Sequence, residues 1–294
     1  MSTLTAAKLA AQVNDYLPIP GRPNQVVLNH ASKFAGLVEM TVSGKLLRKQ
    51  LANSVDLNTG ERGCRLTANN GKYTRIANDG DLHFCLGTAN DAVHIACEIQ
   101  MASDELIARF NDAVDQGITD IKVTGFFRCL FEHSGISQGQ NSDCHIFEIH
   151  PVRAVTIGGQ TFPFDVDMPQ DGTHSWDTLS TYDAGISVTA QADTLTFAGM
   201  RSDARGGDVN YVNVPGKVSN VRTEPGEDGI VRFTFTSPDI DNPIEGLCLP
   251  HTSAAREIQQ VGGGKVTLGA LRNINIEEAL KGNYVINLLA ISFA

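Results

Sequence analysis

No C-x-x-C pair occurs in this chain, although it carries six cysteines at 64, 85, 97, 129, 144 and 248. That spacing excludes a zinc ribbon and argues against a disulfide framework. Several of the cysteines alternate into apolar strands and read as small buried hydrophobes, so a reducing cytoplasm is the simplest expected setting. No stretch approaches the roughly 20 apolar residues that span a bilayer. The opening "MSTLTAAKLAAQVNDYLPIPG" has neither a long apolar centre nor a small-residue cleavage pattern, so no secretory leader is expected. Aromatic residues are scarce, at 6% with a single tryptophan, which limits any surface built for stacking on bases. Neither H-E-x-x-H nor a phosphate loop is present: "GGGK" at 262–265 is followed by Val266 where such a loop needs Ser or Thr.

Positive charge is also in deficit. The net charge of −10 argues against general coating of nucleic acid. Residues 1–165 hold 14 basic and 17 acidic side chains, so the remaining residues carry most of the excess. The sign reverses locally between residues 45 and 75, where Lys45, Arg48, Lys49, Arg62, Arg65, Lys72 and Arg75 face only Asp56 and Glu61. A solvated loop accounts for such a segment; so does an anion site, with Tyr73 available to stack.

What is present is strand alternation. After a short predicted helix at Thr5–Val13 and three prolines, "GLVEMTVSGKLLRKQLA" predicts a long first strand with a bend or bulge at Gly44. Two further strands follow at 82–86 and 92–99, joined by the turn-forming "GTAND". Ser103 caps a helix whose stripe is Leu106, Ile107, Phe110 and Val114, closed by Gly117. "DIKVTGFFRCLF" and "CHIFEIHPVRAVTI" complete five strands, with the helix between the third and fourth. That is the element order of a five-stranded OB barrel. The order recurs from Asp208: a long strand broken at Pro215–Gly216, "IVRFTFTS", "IEGLCLP", the capped helix "TSAAREIQQV", "KVTLGALRNINI" and "YVINLLAISFA". The expected fold is mainly β, with two tandem OB-like barrels. The expected divisions are an N-terminal extension (1–35), a first barrel (36–165), a linker with a β-ribbon (166–206) and a second barrel (207–294).

In the first unit, period-two alternation sorts residues by face. Leu82, Phe84, Leu86, Val93, Ile95, Cys97, Ile99, Phe147 and Ile149 point inward. Asp81, His83, His94, Glu98, Glu148 and His150 point outward, and His133 lies at the rim. Three adjacent strands would thus carry acids and imidazoles on one continuous outer surface.

The motifs "DGDLHF", "IACEI", "KVTGFF…EH" and "FEIHPV" occur in the order seen in a family of small, largely uncharacterised bacterial OB-fold-like proteins, which residues of about 37–157 resemble. Phe147 stands where that family carries Trp, which preserves a large apolar position. The resemblance implies a domain type and assigns no reaction.

Three readings follow. A binding or scaffold module would take single-stranded nucleic acid or another anionic ligand at Lys45, Arg48, Arg62, Arg65, Lys72, Tyr73 and Arg75, or a protein partner on the acidic second barrel. A metal-dependent hydrolase acting on a phosphodiester would draw its catalytic groups from Asp81, His83, Glu98, His133, Glu148 and His150, and its metal ligands from His83, Glu98, Glu148 and His150. A self-assembling protein would pair strands between subunits, its apolar closing strand completed by a partner. Binding or scaffolding is the expectation. No organic cofactor is expected, and the acid/histidine set admits a divalent metal.

Overall fold

Short alternating segments bounded by Gly, Pro and Asn dictate a mainly β architecture. The computed structural model describes residues 3–5, 25–46, 73, 81–87, 94–132, 145–168, 173–176, 183, 185–199, 211–224 and 229–294. In chain order the first elements are β1 (Thr3–Thr5), β2 (Gln25–Asn29), β3 (Glu39–Leu46), β4 (Leu82–Gly87), β5 (His94–Ile99), α1 (Asp104–Asp115), β6 (Asp120–Glu132), β7 (His145–Ile157) and β8 (Gln160–Pro163). They are followed by β9 (Thr173–His174), β10 (Ser187–Gln191), β11 (Thr194–Ala198), β12 (Tyr211–Thr223), β13 (Val231–Thr236), β14 (Ile244–Cys248), α2 (Ser253–Val261), β15 (Gly264–Ile274), α3 (Ile276–Ala279) and β16 (Ile286–Phe293). Among the described residues no helix is long and apolar enough to cross a membrane.

The second unit closes into a five-stranded barrel in the order β12–β13–β14–β16–β15, with β15 returning to β12. In the first unit β3, β4, β5, β7 and β6 pair in succession, and β3 also pairs with β6. The β3–β4 join is narrow, at Lys45–Gly87 and Leu46–Leu86. In both units the third and fifth strands run parallel and the helix separates the third strand from the fourth.

Helix α1 starts where Ser103 accepts the Leu106 amide, and it buries Leu106, Phe110 and Ala113. Ile107 and Val114 of the expected stripe are only partly buried. Phe110 meets Phe84 edge-on at 5.0 Å and Tyr73 at 5.4 Å. Tyr73 is therefore a core residue, 3% exposed, and its ring is not available to stack on a base. A tyrosine beside a buried helix finds more apolar contact inside than outside.

Several local expectations are corrected. Thr5 ends a strand, β1, which runs parallel to β3; its two threonines favour extended backbone over helix. The rest of the expected helix lies outside the described residues. Gly44 carries no bulge, since β3 pairs with β6 without interruption from Glu39 to Lys45. The irregularity falls on the partner strand at Gly125. A Cβ there would lie 2.5 Å from the Pro151 carbonyl oxygen and 2.7 Å from Ile149 Cγ2, so only glycine lets β6 approach β7. Likewise Pro215–Gly216 does not break β12, which pairs continuously with β15 from Tyr211 to Val218. The expected ribbon is present as β10–β11, and β2 joins it, so part of the N-terminal extension is stitched to the segment between the units.

Candidate functional site

The site is a product of strand register. Arg128 on β6 lies opposite Glu148 on β7, Ala96 on β5 opposite Glu148, and His83 on β4 opposite Glu98 on β5. Leu82, Phe84, Leu86, Ile95, Cys97, Ile99 and Ile149 turn into the core, as alternation requires. Asp81, Glu98, Arg128, Glu148 and His150 take other directions, and alternation made that face an open outer surface. The structure corrects this. Arg128 and His150 are fully buried, and Asp81, Glu98 and Glu148 nearly so. The second unit covers them: Val38, Phe126 and Val166 of the first unit pack with Tyr211, Leu247, Leu249, Leu271, Leu289 and Ile291. Removing that apolar area from water draws the polar groups in with it.

His150 is the hub. Its Nδ1 lies 2.9 Å from Glu98 Oε2 and 3.1 Å from Glu148 Oε1, and its Nε2 lies 2.7 Å from the Tyr211 hydroxyl. Burial opposes a charge on the ring. The two carboxylates outweigh it, by charge and by accepting hydrogen bonds, so the His150 pKa is held well above the usual histidine value. Glu148 also accepts a close hydrogen bond from the Arg128 guanidinium. Burial raises the Tyr211 pKa, reinforced by the charges of Asp81 and Glu98, so the phenol stays neutral.

The network crosses between the units at further points. Arg128 Nε donates to the Arg272 carbonyl at 2.8 Å, and the Cys129 amide donates to Asn273 Oδ1 at 2.8 Å. Asn273 in turn donates to Asn287 Oδ1 at 2.7 Å. Gln100 donates to the Tyr211 hydroxyl. Arg272 is paired with Asp183, which also accepts from the Tyr284 hydroxyl at 3.1 Å.

Of the residues singled out from sequence, Asp81, Glu98, Glu148 and His150 are brought together. Asp81, Glu98 and His150 each present a ligand atom within 4.8 Å of the others, so this buried group could hold a metal ion. His83 is placed by backbone register beside Glu98; its side chain, like those of His94 and Phe147, lies outside the described atoms. His133 lies outside the described residues, as does "GISQG" at 135–139. That pentapeptide fits G-x-S-x-G in sequence alone, within the polar stretch "SGISQGQNSD". Cys97 and Cys129 are buried, and burial raises both thiols, so neither offers a thiolate. Of the basic segment, Lys45 is half-exposed and paired with Asp120 at 2.5 Å; Arg48, Lys49, Arg62, Arg65, Lys72 and Arg75 lie outside the described residues.

Alternation missed Arg128, Tyr211 and Arg272. A signal for Arg128 existed: one arginine stands within the apolar run "GFFRCLF", and a lone charge there demands a buried partner. Compared with known proteins, the chain matches no family model and no curated sequence.

Proposed function

We propose that this protein is a non-catalytic binding or scaffold protein built of two OB-like units, and that its acid/histidine cluster is the internal clamp between them. The observation that carries this reading is the commitment of His150: one nitrogen is held by Glu98 and Glu148, the other by Tyr211 of the second unit, in a ring with no exposed surface. A general acid or base must reach substrate, and a ring with no exposed surface has no open path to one. The strand order and helix placement of both units support the OB-like description. Ligand binding is supported by a cleft of about 230 Å³ between the units, lined by Phe34, Phe126, Arg222, Arg232, Glu245 and Asn273. It is supported independently by the basic segment 45–75, which suits single-stranded nucleic acid or another polyanion.

The test pairs two assays on the full chain. Filter binding of single-stranded DNA and RNA across a salt series should show binding that weakens with salt and is reduced when Arg62, Arg65 and Lys72 are replaced by Ala. A model phosphodiester incubated with Mn²⁺ or Mg²⁺ should not turn over. Turnover abolished by His150→Gln would overturn the scaffold reading in favour of a metal-dependent hydrolase.

A further inference from the structure

We propose that Asp81, Glu98 and His150 form a structural site for a divalent transition cation, bound through His150 Nδ1 and completed by Gln100. The proposal goes beyond the scaffold reading, and either can fail without the other.

Three observations converge. The first is geometry. The ligand atoms of the three residues lie within 4.8 Å of one another, and His150 Nδ1 and Glu98 Oε2 are already 2.9 Å apart. Two metal–ligand bonds of about 2.2 Å span at most about 4.4 Å, so only small shifts bring all three donors onto one ion. The second is an orphaned donor. Gln100 is 5% exposed, its amide nitrogen donates to Tyr211, and its buried carbonyl oxygen has no hydrogen-bond partner among the described residues. Gln100 follows Glu98 by two positions and shares the Tyr211 hydroxyl with His150. An amide oxygen left dry is costly, and a cation is one way to satisfy it.

The third is charge. Among the described side chains the cluster sets the carboxylates of Asp81, Glu98 and Glu148 against the guanidinium of Arg128, and a dication beside the neutral ring balances the two remaining negative charges. Any proton on Nδ1 leaves to solvent as the ion takes its place. The inter-unit contact survives this exchange. Nε2–H still donates to Tyr211, the outer hydrogen bond that fixes the orientation of a metal-bound histidine. Glu148 remains with Arg128. One imidazole with oxygen donors suits Mn²⁺ or Zn²⁺.

The experiment strips the full chain with chelator, dialyses it against Mn²⁺ or Zn²⁺, and reads bound metal by mass spectrometry together with the melting temperature. About one ion should be retained per chain, with a rise in melting temperature. Asp81→Asn keeps an oxygen to accept the Met101 amide, which Asp81 now accepts at 3.0 Å. It should fold and lose affinity by about tenfold or more. Glu39→Gln, which alters a buried carboxylate paired with Arg153 elsewhere, should bind as the parent does. The proposal is overturned if the parent retains neither ion, or if Asp81→Asn and Glu39→Gln bind alike. Should Asp81→Asn not fold, Glu98→Gln takes its place with the same two outcomes, and parental uptake without any rise in melting temperature also counts against the site.

Discussion

A single guanidinium shows how the buried network is held. Arg128 is fully buried, with one edge on Glu148 and Nε on the Arg272 carbonyl. Removing one member strands the others without water, so Arg128→Ala is expected to cost about 3–5 kcal/mol. Replacing both members of the pair by apolar residues, as in Arg128→Met with Glu148→Leu, should recover much of that loss. Chemical denaturation of the single and double variants measures both; a double variant worse than the sum of the singles would contradict the account. The acids and His150 were legible from period-two alternation, because β4 and β5 pair without interruption and Glu148 and His150 stand two apart on β7. Their burial was not. Alternation reports which way a side chain leaves its strand, and the second unit that covers this face is remote in sequence. Tyr211 and Arg272 were unreadable as members for the same reason: each reaches the network only through the docking of the units.

At the scale of elements, two junctions carry testable consequences. Gly125 permits the close β6–β7 approach that aligns Arg128 with Glu148, and a methyl group there would overlap backbone atoms of Pro151 and Val152. Gly125→Ala should destabilise the protein by about 1–3 kcal/mol, and an unchanged denaturation midpoint would show that the strands can separate freely. The second junction is Asp165, which follows β8 and ties it to the start of α2. It accepts from the Ser253 hydroxyl at 2.6 Å, the Ser253 amide at 3.1 Å and Arg256 at 3.2 Å. Partial burial disfavours its charge, yet these bonds and the Val166 amide outweigh it and lower the Asp165 pKa below the usual 3.8. A carboxylate whose folded pKa is depressed adds stability above the unfolded value, and that stability is lost as pH falls through the folded one. The stability difference between the parent and Asp165→Asn should therefore be constant from neutral pH down to about pH 5, and shrink at lower pH. A difference that does not change with pH would leave Asp165 with no ionic role. Such junctions explain what the sequence could and could not locate. Glycine and proline at 44 and 215–216 suggested irregular backbone, but the register shifts flank Gly125, where crowding from Pro151 and Ile149 on the neighbouring strand decides.

For the whole molecule, the repeated element order suggested two tandem barrels; the second unit is a closed five-stranded barrel, and a buried apolar cluster joins it to the first unit. Val38, Phe126 and Val166 pack with Leu247, Leu271, Leu289 and Ile291 in one buried cluster, beside the Arg128–Glu148–His150–Tyr211 network. Separating the units would expose that apolar area, at about 25 cal/mol per Å². It would also break the Arg128–Arg272 and Cys129–Asn273 hydrogen bonds. Coupling of even about 3 kcal/mol disfavours a half-unfolded species by more than 100-fold. The full chain should therefore melt in one calorimetric transition, with calorimetric and van 't Hoff enthalpies in agreement. Phe126 is the residue to perturb, because it is 1% exposed and lies in this inter-unit cluster, apart from the larger core cluster. Phe126→Ala should lower the transition temperature and broaden it or split it in two, since the loss falls on the contact between the units more than on either alone. Two resolved transitions in the parent would mean that the seam contributes too little to couple the units, and that the buried network orients them without holding them together.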